Sequence, residues 1–126
     1  MKRMWAVLIL LLLTVTTSVL GIIHTRRVTS QMEQTVSMAK DAMEHDDRDK
    51  GLSLSQKAVK DWRDEHHILC LYMVHSRLEA IDQTLTALPE LCQDEETKDF
   101  FSECDRGIMQ IDYLNESEIP NLDNIF

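Results

Sequence analysis

From Met4 to Ile23 the chain runs 20 residues without a charge, "MWAVLILLLLTVTTSVLGII". As a helix these residues span about 30 Å, the thickness of a bilayer's hydrocarbon core. Inside hydrocarbon, each backbone N–H and C=O must find its partner within the segment, which leaves a lone span little choice but a helix. A core helix of a soluble protein would carry a polar stripe, and none interrupts this stretch. Trp5 and the flanking Lys2, Arg3, Arg26 and Arg27 suit the two interfaces. The rival is a cleaved signal peptide, whose apolar stretch is usually about 7–15 residues and ends at a small-x-small site. Thr16-Thr17-Ser18 is a poor version of that site, and more apolar residues follow it. Length therefore favours an uncleaved single-pass anchor over residues 1–24. Lys2, Arg3 and the amino terminus nearly balance Arg26 and Arg27. The short basic start still resembles the n-region of an exported protein, so the N-terminus is expected inside and the remainder outside the cytoplasm.

That remainder is acidic. Setting aside Lys2 and Arg3 leaves 11 basic residues against 22 Asp plus Glu, a formal balance of −11 for residues 24–126. A surface of this charge repels nucleic acid, and no basic patch offsets it. Nucleic acid is not an expected partner.

Beyond the anchor the apolar residues recur at helical spacing, with no strand-like alternation. Val28, Met32, Val36, Ala39 and Met43 form one stripe, on a helix expected to run on from the membrane without a break. After "EHDDRDKG" a second helix carries Leu54, Ala58, Val59 and Trp62, with Ser53 or Ser55 as its cap. Leu71, Val74, Leu78, Ile81, Leu85 and Leu88 step 3, 4, 3, 4, 3, an a/d seam that closes within one chain or pairs two chains as a homo-oligomer. A fourth helix, capped by Asp94, places Phe101, Cys104, Ile108 and Ile111 on one face, with Phe100 and Leu114 at its edges. The fold expected is all-α: a transmembrane helix followed by a small antiparallel bundle of three to four helices over residues 25–119. Its helices fall near 25–46, 51–66, 67–91 and 94–115, and an apolar tail, residues 120–126, closes the chain.

The stretch "WRDEHHILCLYMVHSRLEAID", residues 62–82, gathers the chain's candidate chemistry. On an unbroken helix His67 and His75 stand about 12 Å apart along the axis, too far to share an ion whose ligating atoms lie within about 4 Å of each other. His75 and Glu79, at i and i+4, share a face, and Asp82 extends the set. These three are the metal or pH-sensing candidates. Cys70, four residues after His66, brings a thiol within reach of an imidazole, but nothing nearby resembles an oxyanion hole. The bland reading is that the histidines border the seam, with His67 on a d position and His75 and Asp82 on e positions. The three cysteines, an odd number, are expected as free and mostly buried thiols. No enzyme activity and no cofactor is expected.

The order of parts resembles a family of small Firmicute single-pass membrane proteins of unassigned function. The resemblance rests on the basic start and anchor, the helical pair, Trp62, His75-x-x-x-Glu79-x-x-Asp82 and the closing "NLDNIF". It implies an all-helical protein of Gram-positive bacteria and directs attention to Trp62, His75, Glu79, Asp82, Asn124, Ile125 and Phe126. The family's first turn often reads Gly-Asp-Trp; here it is His45-Asp46-Asp47. The expected role is a membrane-anchored interaction or structural module whose partner is another membrane or envelope protein. Trp62, His75, Glu79, Leu122, Ile125 and Phe126 are the interaction candidates; the alternative is a metal- or pH-responsive sensor.

Overall fold

The computed structural model describes residues 1–71 and 73–117. Four helices follow in order: α1 (Lys2–Glu44), α2 (Arg48–Leu69), α3 (His75–Gln93) and α4 (Lys98–Ser117). No strand occurs among the described residues. The expected all-α architecture with an apolar N-terminal helix is thus present. The tail candidates Leu122, Asn124, Ile125 and Phe126 lie outside the described residues.

The 43 residues of α1 form one helix, roughly 65 Å long. Its first half is apolar on every side and stays exposed, and it is long and apolar enough to cross a membrane. The hydroxyls in that half are satisfied by the helix itself. Thr14, Thr16, Thr17 and Ser18 each donate to the carbonyl four residues earlier. No polar group is therefore left needing water in hydrocarbon.

From Gly21 onward α1 acquires a buried stripe: Gly21, Thr25, Val28, Thr29, Met32, Thr35, Val36, Ala39, Ala42 and Met43. All five stripe positions expected from the sequence are in the core. The helices close a square, each packing on its neighbours in the order α1, α2, α3, α4 and back to α1. Connections of three to five residues make every neighbouring pair antiparallel.

The turn at residues 45–47 starts α2 at Arg48, not near 51. Asp46 takes the left-handed conformation (φ 58°), which aspartate tolerates better than most residues. Asp47 caps α2 in place of Ser53 or Ser55, its carboxylate accepting from the Lys50 N–H at 3.2 Å. Ser55 lies inside the helix and donates back to the Gly51 carbonyl. Just past the turn the two helices approach closely at Gly51. A Cβ there would stand 2.8 Å from Cγ and Sδ of Met43 and 3.4 Å from the Cys92 thiol.

Three expectations for the later helices need correction. The expected third helix, 67–91, begins only at His75, and residues 67–69 finish α2. Leu71 and Val74, the first two members of the seam, are exposed; Leu78, Ile81, Leu85 and Leu88 are fully buried within one chain. Asp94 does not cap the fourth helix. It is the C-cap of α3, and α4 starts at Lys98. Arg48 donates to the carbonyls of Gln93 and Asp94 (3.4 and 3.0 Å), placing a cation at the negative end of α3. On α4 the buried face is Phe100, Cys104, Gly107, Ile111 and Leu114, while Phe101 and Ile108 are only partly covered. The inner stripe is thus rotated from the one expected. Thr84 donates to the Gln110 side-chain oxygen at 2.7 Å and ties α3 to α4.

Unfolding of the full chain in detergent tests this packing at two positions. Gly51→Leu forces Met43 and Cys92 aside and is expected to cost about 1–3 kcal/mol in thermal or denaturant unfolding. Glu33 sits near Asp112 across the α1–α4 interface, and burial, then that like charge, push its carboxyl above the usual glutamate range. The folded chain therefore binds this proton more tightly than the unfolded chain. The stability this contributes is present in acid and is lost as pH rises through the raised value. Glu33→Gln is expected to be more stable than the parent at pH 7, with the advantage vanishing below the ordinary glutamate range.

Candidate functional site

The expected constellation of His75, Glu79 and Asp82 lies along one flank of α3. His75 is its first residue and exposed, Glu79 is exposed, and Asp82 is half-buried. Among the described residues no group of three or more His, Cys, Asp or Glu side chains is gathered closely enough to hold a metal ion.

The structure does bring together a pair that an unbroken helix keeps apart. Because the chain turns at residues 70–74, His66 from the end of α2 meets His75 from the start of α3, with ring centroids 6.3 Å apart at an interplanar angle of 70°. His67 lies beside His66 at 6.3 Å, and the Trp62 ring meets His66 edge-on at 6.1 Å. The Cys70 thiol stands 3.6 Å from Nδ1 of His66, realising the thiol–imidazole contact expected from their spacing. His67 is neither on α3 nor in its seam; it is an exposed residue in the last turn of α2.

Trp62, an interaction candidate, is 1% exposed and is the largest side chain of the core, so it supports the packing of the bundle. The thiols divide in the same way. All three are free, with Cys92 and Cys104 buried and Cys70 exposed. Burial, reinforced by the neighbouring Asp105 carboxylate, pushes the Cys104 thiol up to about 12. Burial also raises Cys92, against the opposing pull of Arg48. Neither buried thiol is a ready nucleophile at neutral pH.

A concave feature lies between α1 and α2, a groove of about 510 Å³. Val28, Met32, Met38 and Leu54 give it an apolar floor. Asp61, Asp64 and Glu65 line its α2 side, with Lys57 as the one cation in the lining. Lys57 bonds Asp61 one turn along, and His24 bonds Glu65 at 2.9 Å. Residue spacing presents α1 and α2 only as inward-facing stripes, and the groove was not expected from it. Its signal was present in Met38, an apolar residue off the α1 stripe that is exposed in the structure, and in Asp61, Asp64 and Glu65 repeating at three- and four-residue spacing.

Near the α2–α3 corner, polar groups are buried without partners. The Thr25 hydroxyl and the Trp62 indole N–H have no hydrogen-bond partner among the described residues, and neither has the Asn115 side-chain oxygen. Thr25 is next to His24, the residue that meets Glu65, so it and Trp62 lie within about one turn of the same level.

A family model described as a domain of unknown function, DUF4363, matches residues 19–125. No curated protein matches the chain. No solved structure matches it either. The matched range opens two residues before Gly21, the first buried residue of α1, so it contains the bundle and only the last turn of the apolar stretch. Within that range, Thr25→Val keeps side-chain shape and removes the orphaned hydroxyl. It is expected to stabilise the chain by about 1 kcal/mol, read as a raised unfolding midpoint at constant helicity.

Proposed function

We propose a role from one premise, that the chain belongs to the DUF4363 family: it is a membrane-anchored helical interaction module, non-enzymatic, which presents the α1–α2 groove to a helical segment of another membrane or envelope protein. The observation that carries this reading is the continuity of α1. One helix supplies the exposed apolar half, long enough to cross a bilayer, and then one wall of the groove, so span and groove share a single unbroken element. In this reading the N-terminus lies inside and the bundle outside the cytoplasm, as the short basic start favours. Confinement to the bilayer raises the module's effective concentration toward partners in the same membrane.

The groove's chemistry specifies the partner. An apolar floor and a rim with three carboxylates against one ammonium suit an amphipathic helix that carries Leu or Ile on one face and Lys or Arg beside it. The rim charges set orientation and encounter rate, and the apolar floor supplies affinity. Asp64 has more to offer than its neighbours, since Asp61 already bonds Lys57 and Glu65 already bonds His24.

The test uses the full chain in lipid nanodiscs with two synthetic helices of equal apolar face, one flanked by lysine and one by glutamate. Fluorescence anisotropy is expected to show binding of the lysine peptide alone, weakening with salt. Asp61→Lys with Asp64→Lys should cost roughly tenfold in affinity for each charge pair removed, about 1.4 kcal/mol each. Equal binding of both peptides, or binding unchanged by the double substitution, overturns the groove's role.

A further inference from the structure

Because α1 and α2 are antiparallel and meet at a known point, positions on α2 translate into levels on α1. His24 meets Glu65 at 2.9 Å. Four residues later, Leu69 stands about 6 Å nearer the N-terminal end of α1, level with Leu20 and Gly21. Burial agrees with this register. Leu69 is fully buried, and Gly21 is where the buried stripe of α1 begins. The corner at residues 70–74 therefore reaches past the polar flank of His24, Arg26 and Arg27. It comes to lie beside the last turn of the uncharged stretch that ends at Ile23.

The side chains at that corner are the wrong ones for water. Leu71 is 79% exposed, Val74 62% and Ile68 42%. The other exposed large hydrophobic groups on the described part of the bundle, Met38, Met109 and Tyr113, belong to α1 and α4 and not to the corner. Around the three apolar residues stand His66, His67, His75 and Arg77. An apolar tip with a collar of imidazole and guanidinium groups is the composition of a membrane-interface contact. The rest of the domain is strongly acidic and is repelled by anionic headgroups, so this corner is the part of its surface suited to approach them.

We propose that the α2–α3 corner is a second membrane contact: Leu71 and Val74, with Ile68 beside them, seat in the interfacial layer of the bilayer that α1 crosses, and His66, His67, His75 and Arg77 lie at headgroup level. The proposal rests on the anchor reading above. A single span leaves a domain free to tilt where it leaves the bilayer. A second contact, displaced from the span's axis by the width of a helix, limits this tilt and holds the α1–α2 groove at a set height and angle to the membrane plane.

The experiment uses the full chain in vesicles of phosphatidylcholine and phosphatidylglycerol, with a nitroxide on Cys70, the exposed thiol next to Leu71. Power saturation compares collisions with oxygen, which partitions into lipid, and with a nickel chelate, which stays in water. Oxygen is expected to dominate at Cys70. The chelate should dominate for the same probe at Glu95→Cys, at the far end of the bundle, in a Cys70→Ser background. Leu71→Asp with Val74→Asp should shift Cys70 to the aqueous ratio while helicity is retained. An aqueous ratio at Cys70 in the parent chain overturns the proposal. A probe at Leu10→Cys, also with Cys70→Ser, separates the two readings. Lipid exposure at Leu10 with water at Cys70 sinks only the corner contact, whereas water at both sinks the anchor as well.

Discussion

Hydrocarbon does not supply hydrogen bonds, and a segment long and apolar enough to cross it must supply its own. A 20-residue uncharged stretch in a bilayer must close its backbone polar groups internally, so it is helical, and even its threonine and serine hydroxyls turn back onto the helix. No proline interrupts the chain before residue 89, so the same hydrogen-bonded ladder continues into the bundle as far as Glu44. The consequence is mechanical. The bundle is not tethered by a flexible linker but built on the upper half of the helix that would cross the membrane. The excess length of α1 over its neighbours is the length of that projecting half.

This shared helix also explains where α2 ends. Its C-terminal turn draws level with the point at which the buried stripe of α1 gives way to a surface apolar on all sides. Continuing straight, the chain would have carried Leu78, Ile81, Leu85 and Leu88 beyond the bundle, leaving the large area they bury in the fold uncovered. Each such side chain is worth roughly 1.5–3 kcal/mol when fully buried. Nothing in residues 66–77 breaks a helix by itself, since neither glycine nor proline occurs there. Burial of the four later seam residues outweighs the few backbone hydrogen bonds forgone at the corner, each worth about 1 kcal/mol net. Leu71 and Val74 are left outside as a result.

The break changes what the histidines can do. On a continuous helix His66 and His75 would be nine residues and about 13 Å apart along the axis; across the corner their rings are neighbours. Cys70 joins the same cluster through His66, while the other two thiols are shut in the core, Cys92 against Met43. Electrostatics are similarly partitioned. The groove between α1 and α2 carries acid along one wall, and the corner at the end of the same two helices carries imidazole and guanidinium groups. A domain with a formal balance of −11 over residues 24–126 thus keeps its groove-lining carboxylates apart from the imidazoles of its corner.

Residue spacing alone makes much of this legible. The apolar span, the absence of strand-like alternation and the inner stripe of α1 (Val28, Met32, Val36, Ala39 and Met43) follow from it, because a helix is a local object whose faces repeat about every 3.6 residues. The later seam was legible only in part. Leu78 to Leu88 satisfy it, but Leu71 and Val74 fit the same arithmetic and lie outside the core. Local spacing cannot register where a partner helix ends. The buried face of α4 was misplaced for a related reason, since Gly107 contributes to packing through the small space it takes beside Thr84 and carries no hydrophobic signal. The groove, the His66–His75 contact and the exposure of the corner exist only once four helices share one frame. They are set by relative levels between chain-distant residues such as His24 and Glu65, and the burial that fixes those levels is a property of the whole bundle.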